Sequence, residues 1–318
     1  MTLCTCDREG PLARIGLAPM QDVTDLAFMR TLQRLGSLPD FFVTPYFRST
    51  PTTCAMGEEN LRCIRENETG VPIFAQLAGS DPDALARDAE RLLSLPIAGI
   101  NLNAGCPSPL VNRHHAGAGL LRDLPRFSRC LAALRRVVPR GMFSVKCRLG
   151  WDSPGEFPRL LELLADAAPD ALMVHARTRR QLYGGCPNAD AAAQAVRILS
   201  CPVLGNGDIT TPQQAADWLR ITPAGILIGR GAVRNPFIFR MLRGGPAPSR
   251  VEMASYFLSL SEEIARTLHT RRTPAGHCNR LKKYLAFCYP DFTPEQEYIL
   301  RRATDIDTML RILTAPAS

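Results

Sequence analysis

The sequence has no apolar run approaching the ~20 residues that a membrane-spanning helix needs. A transmembrane protein is therefore not expected. Its first residues, MTLCTCDREG, hold no basic segment followed by an apolar one, so no secretory leader is expected and the cytoplasm is the expected compartment. The eleven cysteines contain no CxxC pair; Cys4 and Cys6 are the one close pair. Structural zinc normally takes closely spaced ligand pairs, so no metal is expected. Unpatterned thiols in odd number suit a reducing compartment. No GxGxxG turn stands early in the chain, which disfavours an open doubly wound dinucleotide-binding sheet. There is no internal repeat beyond one alternating unit, and no low-complexity tract.

The 318 residues, 46% hydrophobic and 21% charged, suffice for one large domain and a small one with a sizeable core. A formal charge of +8 favours a polyanionic partner.

Eight short apolar runs read as strands, each ending in Gly, Pro or polar residues. They lie at 14–20, 40–46, 72–79, 97–105, 143–150, 171–177, 202–209 and 225–232. Segments of helical spacing separate them. DPDALARDAERLLSL opens on Asp81 as a helix cap with Pro82 at the first helical position. Near-continuous apolar strands alternating with helices mean parallel strands buried on both faces. Eight units in this length predict a (β/α)8 TIM barrel, residues 1–243. The Gly/Pro-rich stretch RMLRGGPAPS reads as a linker. Beyond it, three segments of helical period predict a small all-helical C-terminal domain, residues 248–318.

Barrels of this kind work at the C-terminal ends of their strands. Those ends carry Pro19 and Met20, Gln76, Asn103 with Cys106, Lys146 with Arg148, His175 with Arg177, Asn206-Gly207-Asp208, and Gly229-Arg230. Glycines in the last two loops let backbone N–H groups approach an anion, with a helix N-terminus behind them and Arg230 adding a cation. Lys146 interrupts an apolar run, which is costly unless it faces a polar cavity or an anion. With Gln76 and His175 the set suits a phosphorylated ring with polar edges. Cys106, after the fourth strand, overhangs the same mouth. Nucleophile, buried filler and acid all remain open for it, and His114 and His115 are near enough in sequence to act as a base.

In the order LAPMQDVTD, QLAG, NLNAGCP, AGAGLLRD, VKCRLGWD, VHAR, GNGDI and LIGRGA, these segments resemble the motifs of the bacterial tRNA-dihydrouridine synthases over roughly residues 14–235. The resemblance implies FMN as cofactor, NADPH as electron donor and a uridine of the tRNA D-loop as substrate. Reduction gives 5,6-dihydrouridine, with Cys106 as the acid that protonates C5. It implies Ala18, Pro19, Met20, Gln76, Lys146, His175, Asn206, Gly207, Asp208, Gly229 and Arg230 around the flavin. It implies Asn103, Arg148 and Arg177 toward the uridine and its neighbours. The helical tail takes the place of a tRNA-binding domain. Its segment 266–283 holds Arg266, Arg271, Arg272, Arg280, Lys282 and Lys283 with no acidic residue, flanked within by His269 and His277. Arg280, Lys282 and Lys283 are expected phosphate contacts. Chain length and RLGWD lean toward D-loop position 16. A monomer is expected. Pro109 and Pro45 depart from the lysine and the acidic residue common in the family, and His114 and His115 stand where small or basic residues are frequent. Rival readings are the same chemistry at position 17 or 20, a flavin barrel acting on a free pyrimidine, and an inert tRNA-binding barrel.

Overall fold

The computed structural model describes residues 13–52, 56–267 and 273–315. Cys4, Cys6, Cys54, His269, Arg271 and Arg272 lie outside them.

Nine parallel strands run in chain order: β1 (Arg14–Leu17), β2 (Phe41–Val43), β3 (Phe47–Arg48), β4 (Ile73–Ala78), β5 (Gly99–Ala104), β6 (Phe143–Arg148), β7 (Ala171–His175), β8 (Val203–Asn206) and β9 (Gly225–Ile228). Eight of them close a ring, since β9 pairs with β1 and β2 pairs with β4. This is the TIM barrel, with its eight strands inside the eight runs read from the sequence. The ninth strand, β3, is a two-residue graft on the end of β4, pairing Phe47 with Leu77 and Arg48 with Ala78. It is too short to leave a periodic signature.

The period of two in each strand builds the site. Ala75 and Leu77, Ile100 and Leu102, and Val145 and Cys147 face the helices and join the large outer core. Their alternates point into the lumen. At the floor these are apolar: Phe41, Phe74, Ala171, Met173, Leu204 and Leu227 form a separate plug. The rings of Phe41 and Phe74 meet edge to face at 5.7 Å. Gly16 is required beneath them, because a Cβ there would stand 2.2 Å from the Phe41 ring. One pleat higher the inward residues turn polar: Gln76, Asn103, Lys146, His175 and Asn206. The lumen is closed below and chemically active above.

Caps read from the sequence are in place. The Asp81 carboxylate accepts from Ala84 N–H at 2.8 Å at the head of helix Pro82–Leu93, an interaction worth about 1 kcal/mol.

The tail forms helices Arg250–Thr267, Pro274–Cys288, Pro294–Arg302 and Ile306–Leu313. The last helical segment of the sequence is two helices, because Asp305 caps a new start by accepting from Thr308 N–H at 2.7 Å. The tail does not own its core. Tyr256, Leu260, Leu281 and Tyr284 share one buried cluster with Phe28 and Phe237 of the barrel. The Tyr256 hydroxyl donates to Val233 O at 2.9 Å, and the Tyr284 hydroxyl to Asp25 at 2.7 Å. No helix among the described residues is long and apolar enough to cross a membrane.

Candidate active site

A cavity of about 770 Å³ opens at the C-terminal ends of the strands, within the range of ligand sites. Ala18, Pro19 and Met20 supply one apolar wall. Gln76, Asn103, Cys106, Lys146, Arg148, His175, Asn206, Gly207, Asp208, Gly229 and Arg230 complete the ring. Strand-end reading thus brings together fourteen residues from distant parts of the chain.

A directed hydrogen-bond chain runs beneath the cavity. Backbone N–H groups of Gly105 and Cys106 donate to Asn103 Oδ1 at 3.0 and 2.9 Å. Asn103 Nδ2 donates to Gln76 Oε1 at 2.8 Å, and Gln76 Nε2 to Asn101 Oδ1 at 2.8 Å. Asn101 Nδ2 donates to Ser144 Oγ at 2.8 Å, whose hydroxyl donates to Ile100 O at 3.3 Å. An amide N–H can only donate and a carbonyl can only accept, so both ends fix the polarity of every link. The Gln76 amide has one orientation.

Lys146 donates to Asn206 Oδ1 at 3.3 Å, and Asn206 Nδ2 donates to Leu227 O at 2.8 Å. Burial, then the like charge of Arg148, pulls the Lys146 ammonium down to about 8. An anion in the cavity would reverse that pull. Burial, then Arg148 and Lys146, pushes His175 far below its ordinary value, so its imidazole is neutral at physiological pH. Its Nδ1 is buried without a hydrogen-bond partner.

Burial raises the Cys106 thiol above its ordinary value, against the pull of the Ser108 backbone and the charges of Arg148 and Lys146. Among the described residues no histidine acts on it: His114 and His115 are exposed outside the cavity wall. Of the three roles open in the sequence, a thiol kept protonated matches an acid best and a nucleophile least.

Glycines in the last two loops sit as expected, and of the two helices behind them the one after β9 opens on the cavity, with Gly229, Arg230 and Gly231 on its wall and no side chain capping it. Helix Pro212–Ile221 begins beyond the β8 loop and spends its first N–H groups on its own Thr211–Gln214 capping box. The helix after β9 is only Arg230–Arg234. The cationic element is Arg230, aimed by Asp208, whose carboxylate accepts from it at 2.6 Å. Asp208 holds a left-handed φ of 50° after Gly207 at 151°. Gly229 has no such backbone need. A Cβ there would meet only Ala18 and Met20 at ordinary distances of 3.5 and 3.6 Å, so the space over it belongs to the cavity.

Four of the expected RNA contacts, Arg177, Arg280, Lys282 and Lys283, lie off the cavity wall. Arg177 is 1% exposed, away from the cavity wall, bonded to Gly184 O, Gly185 O and the Asp208 carboxylate. A guanidinium this deep is stable only when every donor is matched, which makes it scaffold for the 184–185 turn. Arg280 is paired with Asp25 and Asp22, and Lys283 with Asp22 at 2.7 Å. They fasten the tail to the β1 loop. Lys282 has no ion pair among the described residues and lies off the cavity. Arg148 does line the cavity, yet at 2% exposure its guanidinium is engaged by the carbonyls of Gly105, Thr178 and Leu182.

Sequence reading missed Tyr46, Tyr183, Ala286, Phe287 and Pro290, all on the cavity wall. Tyr183, exposed beside Arg230 at 4.3 Å, follows β7 and was findable as an aromatic in a strand-end loop. The three tail residues carry no local signal.

The Dihydrouridine synthase (Dus) family matches residues 16–309. The tRNA-dihydrouridine(16) synthase of Cupriavidus necator is 32% identical over 87% of this chain and 88% of its own length. That of Haemophilus ducreyi is 34% identical over 88% of each. The tRNA-dihydrouridine synthase B of Pseudomonas aeruginosa is 35% identical over 81% of this chain and 80% of its own. In fold the chain is similar to the old yellow enzyme homologue NCR of Zymomonas mobilis, with TM-score 0.52 and 14% identity, covering 85% and 94% of the two chains. A barrel with this cavity and a match over nearly its whole length makes the chain a member of the dihydrouridine synthase family.

Proposed function

We propose that the protein reduces a uridine of the tRNA D-loop to 5,6-dihydrouridine in the cytoplasm, using FMN with NADPH as reductant. The observation that carries this reading is the Cys106 thiol, held protonated by burial on the wall of the same cavity that holds Lys146, Gln76 and His175.

The residues fit FMN. The cavity volume, the open cradle over Gly229, the neutral His175 with its unpartnered Nδ1 and the Arg230 cation match a phosphorylated ring with polar edges. Ala18, Pro19 and Met20 would pack on the ring, and Gln76 and Lys146 would meet its polar edge. Asn206, Gly207, Gly229 and Arg230 would hold the ribityl phosphate, with Asp208 aiming Arg230. Bound flavin would supply the hydride for C6 of the base.

The chain's own residues do the rest. Lys146 stabilises negative charge placed beside it. Asn103 fixes the Cys106 loop, and Cys106 delivers a proton to C5. Arg148 keeps the mouth closed around Gly105 and carries positive charge toward the base. A uridine must leave the D-loop stack to enter, at a cost of a few kcal/mol. Position 16 is favoured by the relatives that carry it in their names, although a synthase B relative is equally similar.

The test is direct. Purified protein loaded with FMN, NADPH and unmodified tRNA should yield dihydrouridine by nucleoside mass spectrometry, at position 16 after digest mapping. Product from free uridine and none from tRNA would overturn the reading.

A further inference from the structure

Many of the described arginines are neutralised. Arg34, Arg62, Arg135, Arg177, Arg234, Arg240, Arg243 and Arg280 all meet carboxylates. In the tail Arg266 pairs with Glu263 at 2.7 Å, and Arg280 and Lys283 pair with Asp25 and Asp22, so three of the basic residues described in the run that reads as a phosphate site are spent on intramolecular pairs.

Several arginines have no ion pair among the described residues, and four of these, Arg48, Arg113, Arg122 and Arg179, are gathered in one arc, the first three of them exposed. Arg122 and Arg179 both lie over the Trp151 ring, at 5.0 and 4.7 Å. Arg179 donates to Asn112 Oδ1 at 3.1 Å, and Asn112 Nδ2 donates to Cys106 O at 2.8 Å. Arg113 donates to His114 at 3.1 Å. Slight burial, then the charges of Arg48 and Arg113, hold His114 below its ordinary value. The nearby carboxylates are occupied, since Glu156 accepts from the Trp151 backbone at 2.7 Å and Asp152 pairs with Arg180 at 2.7 Å. Like charges gathered without a counter-ion cost stability, and here two guanidiniums are held together by their contacts with one indole. The arc borders the loop that carries Cys106.

We propose that this rim, and not the tail cluster 266–283, is the main phosphate-binding surface for the tRNA backbone flanking the target base. It rests on the proposed function. A base inserted beside Cys106 leaves its flanking phosphates at the mouth, where the exposed guanidiniums stand. Arg179 is a positioning residue as well, because it holds the Cys106 loop through Asn112.

The experiment measures binding of an unmodified tRNA transcript against salt for three proteins. These are the FMN-loaded wild type, an Arg48→Gln, Arg113→Gln, Arg122→Gln variant, and a tail variant with Arg271→Gln, Arg272→Gln and Lys282→Gln. Melting temperature and FMN content serve as folding controls. The rim variant should lose more than tenfold in affinity, and its slope of log K against log salt should fall by about 2, at about 0.7 per phosphate contact on a single strand. Rim-variant affinity and slope equal to wild type would overturn the proposal, and loss in the tail variant alone would return the site to the tail. A wild type that reduces tRNA while the rim variant binds normally overturns the rim only. A wild type that binds neither flavin nor tRNA overturns the function and the rim with it.

Discussion

Asn103 Oδ1 accepts the backbone N–H of Cys106 at 2.9 Å while its own amide nitrogen is held by Gln76 at 2.8 Å. The loop bearing the thiol and the Gln76 amide on the cavity wall are therefore set by one side chain. Asn101, below the cavity, is the next link. Asn101→Leu should leave the Gln76 Nε2 donor unpaired at a cost of about 1–3 kcal/mol. FMN binding should weaken and Cys106 alkylation in the flavin-free protein should change rate. Asn101→Asp, which keeps the acceptor, should recover most of both. Equal loss in the two variants would show that packing, not the acceptor, matters.

The depressed Lys146 predicts a pH effect of definite sign. With the ammonium at about 8, the flavin-free protein loses that positive charge as pH rises through about 8. Binding an anionic ring or phosphate raises the value again, so binding takes up a proton above that pH and weakens as pH rises. Calorimetry of FMN binding between pH 7 and 9, in buffers of different ionisation enthalpy, should show both. Lys146→Met should flatten the profile.

Asp208 joins buried Arg177 to Arg230. Burial alone would push its carboxyl up, but the Arg177 hydrogen bond and the two guanidinium charges hold it below the ordinary range. Its contribution is thus present above the unfolded value and is lost as pH falls through the folded one. Asp208→Asn should destabilise by about 1–3 kcal/mol, discounted because the carboxylate is partly solvated. It should also raise the dissociation constant for FMN, whose proposed phosphate partner Arg230 loses its aim. Unchanged FMN binding would place Arg230 outside the phosphate site.

The shared core makes the tail part of the barrel's stability. Tyr256→Phe removes a buried donor to Val233 O and should cost about 1–2 kcal/mol in a single cooperative melt. Two separate transitions would show that the tail folds by itself.

The barrel was legible because buried parallel strands write eight apolar runs, and the cavity because polar residues break those runs at their C-terminal ends. Gln76, Lys146, His175 and Asn206 all announce themselves that way. What lay hidden is non-local. Nothing in the basic stretch GHCNRLKKY tells that Arg280 will meet Asp25, 255 residues away, instead of a phosphate. Nothing marks Ala286 and Phe287 as cavity wall, because that depends on how helix Pro274–Cys288 docks. Arg177 reads like Arg148 at a strand end, yet its donors turn into the 184–185 turn. The rim arginines are scattered from residue 48 to 179 and gather only in the folded loops.

The central claim is that Cys106 is the acid for a base reduced in this cavity. The most direct measurement is anaerobic stopped-flow on Cys106→Ala. NADPH should bleach the flavin at the wild-type rate, whereas re-oxidation of the reduced flavin by unmodified tRNA should slow by a factor of about 10² or more, as loss of a general acid does. Re-oxidation by tRNA at the wild-type rate would contradict the account.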